Sequence, residues 1–97
     1  MISKKEAETI ANNELLLLEK NVGDKLWLIE SETIEEPFGW VFFYNTQKYL
    51  ETGELTFMLA GNSPFIVDKK KGEVHSTGIE YPIEHYIKEF RRELVDK

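Results

Sequence analysis

Apolar residues recur at three- and four-residue steps through Ala7, Ile10, Ala11, Leu15 and Leu18, the period that lines one face of an α-helix. Ser3 and Glu6 stand ahead of them at capping-box spacing, where each side chain can satisfy an amide that the first helical turn leaves open. The helix frays near Asn21 and closes by Gly23, because a residue without Cβ takes the left-handed conformation at little cost. Leu26 to Ile29 then reads as a strand, and Glu30 to Glu36 as an acidic extended segment leading to a hairpin turn at Pro37, Phe38 and Gly39.

From Trp40 to Thr46 both parities are apolar, with Trp40, Phe42 and Tyr44 on one side and Val41 and Phe43 on the other. That pattern belongs to an interior strand, here the centre of the sheet. Gln47 to Ala60 fits neither period around Gly53 and reads as a mixed connection. Gly61, Asn62, Ser63 and Pro64 turn the chain into Phe65, Ile66 and Val67, and Asp68 through Gly72 folds that strand back onto Val74 to Thr77. Gly78 ends this second hairpin, Pro82 suits a first helical position, and Ile83, Ile87, Phe90 and Leu94 form the apolar stripe of a closing helix. The expected fold is α+β: an antiparallel sheet of about four strands, flanked by the N-terminal and C-terminal helices on one face.

The 97 residues, 41% apolar and 31% charged, suit a single domain spanning residues 1–97. There is no cysteine, which excludes disulfides, cysteine zinc sites and thiol nucleophiles, and suits a reducing, cytoplasmic setting. The longest pure apolar runs, Leu15 to Leu18 and Trp40 to Tyr44, are too short to span a membrane or to form the core of a leader peptide. No membrane association is expected. Twelve Lys and Arg against eighteen Asp and Glu give a formal charge of −6, which repels a phosphate backbone and attracts a basic protein surface. Nucleic acid is therefore not an expected partner.

No catalytic set emerges. His75 falls on a predicted strand and His85 on the polar side of the last helix, and neither joins a zinc spacing such as H-E-x-x-H. No metal or cofactor is expected. Gly61-Asn62-Ser63-Pro64-Phe65 starts like a nucleophile elbow but lacks its second glycine and the helix that should follow. The same loop lacks the G-K-[ST] ending of a P-loop, and Lys69 to Lys71 reads as a solvated hairpin tip. The aromatic run at Trp40 has Glu35 and Glu36 for neighbours where an RNA-stacking sheet needs cations, so it reads as core.

Glu30, Glu32, Glu35, Glu36, Glu51 and Glu54 gather around the first hairpin and its exit. A solvated face is the simplest reading of such a group. The functional reading is a partner-binding surface centred on Glu30, Glu32, Glu35 and Glu36, with Glu54 nearby. Exposed apolar surface around Trp27, Phe57 and Met58 would instead suit a chaperone-like or housekeeping binder without catalytic activity.

The order Pro37-Phe38-Gly39-Trp40-Val41-Phe42-Phe43-Tyr44, Tyr49-Leu50-Glu51-Thr52-Gly53, Leu59-Ala60-Gly61-Asn62, Pro64-Phe65-Ile66-Val67-Asp68, Gly72, and Thr77-Gly78 with Tyr81-Pro82-Ile83-Glu84-His85-Tyr86-Ile87 resembles the YrhB domain family, of the immunity protein 35 type. The resemblance covers about residues 26 to 90 and leaves the first helix outside. It implies a small bacterial cytoplasmic α+β protein, encoded beside a polymorphic toxin, that binds and silences the toxin domain of its own cell or kin. It further implies a non-enzyme whose partner is a cognate toxin domain, a basic nuclease-like one being a candidate, with monomer and homodimer both open. The matching glycines, prolines and aromatics are turn and core positions, so the resemblance transfers no contact residue.

Overall fold

The computed structural model describes the backbone of residues 1–95 and the side chains of residues 1–92. Helix α1 (Lys4–Val22) begins at the expected capping box, where the Glu6 amide donates to Ser3 Oγ at 3.2 Å and the Ser3 amide donates to Glu6 Oε1 at 3.0 Å. It closes at Gly23, whose φ of +84° is the left-handed conformation. The chain continues through β1 (Leu26–Leu28), β2 (Ile34–Glu36), β3 (Gly39–Phe42), β4 (Tyr44–Thr46), α2 (Gln47–Thr52), β5 (Phe65–Asp68), β6 (Val74–Ser76) and α3 (Ile83–Val95). Strands β2, β3, β5 and β6 form a four-stranded antiparallel sheet in that order, and β1 pairs with β4 in a separate two-stranded ladder. The α+β class, the four-stranded sheet and its two terminal helices are therefore as expected.

The expected single strand from Trp40 to Thr46 breaks at Phe43, and its halves serve different sheets. The Phe43 carbonyl leaves the main ladder to accept the Ile29 amide at 2.8 Å, which seats β1 against β4. Parity survives the break. Trp40, Phe42 and Tyr44 enter one core with Phe65 and Val67, whereas Val41 and Phe43 join the other.

These two cores require one correction. Ala7, Ala11 and Leu15 of α1 close the Trp40 face, while Ile87, Ile83 and Phe90 of α3 close the opposite face over Val41, Ile66 and Phe38. The helices thus lie on opposite faces, not on one. The cause is the two-sided apolar pattern of β3 and β5. Leaving either face wet would forfeit about 25 cal/mol for every Å² of apolar surface, and one helix covers one face. Ala7 and Ala11, both fully buried, let α1 lie close against the sheet. The side chain of Leu94, the last position of the expected α3 stripe, lies outside the described residues.

Two local departures complete the picture. The segment from Glu30 to Glu36 is not extended throughout: Glu30–Glu32 coil into a 3-10 turn before β2 begins. This turn redirects the chain, because β1 belongs to one sheet and β2 to the edge of the other. The mixed connection after Thr46 resolves into α2 and a 3-10 turn at Leu55–Phe57. Thr46 caps α2 by accepting the Tyr49 amide at 3.1 Å, and its hydroxyl donates to the Phe57 carbonyl at 2.6 Å. Among the described residues, no helix is long and apolar enough to cross a membrane.

Candidate partner-binding surface

Backbone alternation and the 3-10 turn decide where each acidic side chain goes. Glu30 and Glu32 stand exposed on the turn, and Glu35 points to solvent from β2, an edge strand. Glu36 alternates to the α3 side, where it forms an ion pair with Arg91. Glu54 is exposed at the start of the second 3-10 turn, on a different segment from the hairpin. The structure therefore gathers Glu30, Glu32 and Glu35 on one short stretch, ties Glu36 to α3, and leaves Glu54 on the connection after α2. Among the described residues, Glu30, Glu32, Glu35 and Glu54 enter no ion pair.

Strand β1 supplies the apolar neighbour of this stretch. Leu26 is buried, Leu28 is half-buried, and Trp27 between them points outward with 45% of its surface exposed. It borders a groove of about 490 Å³ lined by Asn12, Trp27, Leu28, Ile29, Glu30 and Leu50. Leu16, one helical turn beyond Asn12, is 59% exposed on that side of α1. Trp27 and Glu30, read separately in the sequence, thus share one recess. Met58 is also exposed, but Phe57 is half-buried beneath the Lys48 ammonium, 5.5 Å from its ring centre.

A third cluster was not foreseen. Asp68, Glu73 and His75 bring their donor atoms within 4.8 Å of one another at the β5–β6 hairpin. The Asp68 carboxylate accepts the amides of Lys71 (2.6 Å), Gly72 (3.2 Å) and Glu73 (3.1 Å), and lies 2.8 Å from His75 Nε2. Burial disfavours its charge, but the bonds from His75, Lys71 and Glu73 and the attraction of His75 outweigh burial and hold its pKa below the usual carboxylate value. Its oxygens are already engaged by these donors, and Lys69, Lys70 and Lys71 stand beside it. The group holds the turn. Its sequence signal was an aspartate opening a turn that closes at Gly72, with a histidine on the returning strand.

The chain belongs to the Immunity protein 35 family, whose model matches residues 5–89. That span takes in α1, which the motif resemblance left outside. Among curated proteins, the chain is 46% identical over 52 residues to the Uncharacterized protein YrhB of Escherichia coli (strain K12). The alignment covers 54% of this chain and 55% of that protein, so the match spans about half the length of each. No solved structure matches.

Proposed function

We propose that this protein is an immunity protein: it binds a cognate toxin domain in the cytoplasm and blocks it by occupying or distorting the toxin's active site, without catalysis of its own. Family membership supports the reading. The observation that carries it to a surface is the exposed trio Glu30, Glu32 and Glu35, which enters no ion pair among the described residues. Toxin domains that attack nucleic acid need basic clefts, and a focused negative surface raises encounter rates by roughly 10- to 1,000-fold at low salt. Glu36, held by Arg91, contributes less to that field at the partner, and Glu54, on the connection after α2, is not needed for it.

The test first searches the gene neighbourhood for a toxin domain, whose absence would count against the reading, and pairs this protein with the one found. Co-expression should restore growth, and reversing Glu32 and Glu35 to Lys should slow association and flatten its salt dependence while leaving the melting temperature in place. Unchanged association kinetics in the double variant would remove this patch from the interface. Exposed Trp27, Leu55 and Met58 favour a second reading, a chaperone-like binder. Such a protein would hold many unfolded clients weakly, and a single saturable high-affinity partner argues against it.

A further inference from the structure

We propose that the groove beside Trp27 is the anchor of the toxin interface, and that it receives an apolar side chain presented between Lys or Arg residues of the toxin. This rests on the immunity reading and deepens it. The protein has two tryptophans, and they have opposite fates: Trp40 is sealed in the core at 2% exposure, whereas Trp27 keeps 45% of its surface in water. Leu28, Ile29 and Leu50 line the recess with it, so an entering apolar side chain finds apolar partners there besides the indole. Tryptophan in such a setting is the residue type most enriched among binding hot spots.

Charge selects the occupant. Glu30 lines the groove and Glu32 follows it within the same turn, both exposed. A flanking Lys or Arg can lay its stem along the indole face and place its head at Glu30, gaining cation–π attraction as well as ionic attraction. The nearby α2 cation, Lys48, sits over Phe57 and lies 4.0 Å from Asp24, so it does not answer the Glu30 carboxylate. A second copy of this chain is a poor occupant, since a protein of formal charge −6 would bring like charge to an acidic rim.

The experiment has two arms. In the first, Trp27→Ser is compared with Ile79→Ser, another apolar-to-polar change at a 65% exposed residue ahead of α3, for affinity toward the toxin domain found in the gene neighbourhood. Trp27→Ser should weaken binding by about 30-fold or more with an unchanged melting temperature, and Ile79→Ser should not. In the second, ¹⁵N-labelled protein is titrated with a short peptide alternating Lys and Leu, and with one alternating Glu and Leu. The Trp27 indole N–H signal should move with the first and stay with the second.

Wild-type affinity in Trp27→Ser would overturn the groove and leave the immunity reading standing. If the wild-type protein neither binds nor protects against the toxin, the immunity reading falls, and the peptide titration decides the groove alone: a selective Trp27 shift keeps it as a site for basic apolar segments, and no shift removes it. Self-association that sedimentation detects in wild type but not in Trp27→Ser would also overturn the proposal, because the occupant would then be a second copy.

Discussion

Trp40 offers the sharpest check on the packing. A buried tryptophan hides about 150–250 Å², which at about 25 cal/mol per Å² is worth about 4–6 kcal/mol. Its Nε1 is buried with no hydrogen-bond partner among the described residues, a cost of about 1–3 kcal/mol, and the Lys69 ammonium 5.0 Å from the ring centre stabilises the indole in return. Truncation to alanine loses the burial, relieves the orphaned N–H and opens a cavity in the α1-facing core. The net expectation for Trp40→Ala is a loss of about 3–5 kcal/mol, a large part of the roughly 5–15 kcal/mol that holds a small protein folded. Trp40→Phe keeps one ring's contacts, leaves a smaller cavity than alanine and deletes the orphaned N–H, so its loss should be clearly smaller than that of Trp40→Ala. Urea unfolding followed by far-ultraviolet circular dichroism avoids the change in fluorescence. Two results would refute the reasoning: a Trp40→Ala midpoint equal to wild type would place the indole outside the core, and a Trp40→Phe loss matching that of alanine would show that the N–H is satisfied.

Gly39→Ala should fold poorly, since a Cβ there would overlap the backbone of Val67, Asp68 and Lys69, none of which can swing aside; soluble yield and melting temperature read it out. Gly78→Ala pushes against the Tyr86 hydroxyl instead, and Tyr86→Phe in the same chain should restore part of the lost melting temperature. Asp68→Asn should cost about 1–3 kcal/mol at neutral pH by weakening the bonds that hold the β5–β6 turn. Because the folded Asp68 pKa is depressed, its charge stabilises the fold above the unfolded carboxylate value of about 3.9. That contribution fades as pH falls through the lower folded value, so the gap between wild type and Asp68→Asn should narrow below about pH 4, as unfolding free energies over a pH series would report.

Local elements were legible because local chemistry decides them. The α1 stripe, its capping box and its Gly23 stop all lie within one stretch, and the Pro37–Gly39 turn carries its own signal. What the sequence hid was set by partners far along the chain. Nothing in the run from Trp40 to Thr46 marks Phe43 as the point where β1 captures β4. The two-sided apolar pattern of that run did demand cover on both faces, and assigning both helices to one face overlooked its consequence. In the candidate site, the glutamates were visible as composition, but the pairing of Glu36 with Arg91 spans 55 positions and follows from α3 packing over β2. The outward turn of Trp27 was foreseen as exposed surface; its joining with Glu30 and Leu50 in one groove depends on α1, β1 and α2 meeting.

The brevity of the strands has a consequence for the protein's life in solution. Edge strands β2 and β6 are three residues long, about 10 Å each at the usual rise, and β2 carries Glu35 and Glu36. An incoming strand would find only a few backbone rungs and a charged border, conditions that discourage sheet-to-sheet growth. The ladder strands β1 and β4 are as short, so a chain held at high concentration offers a second strand little to extend, and recognition at this surface falls to side chains rather than to backbone rungs.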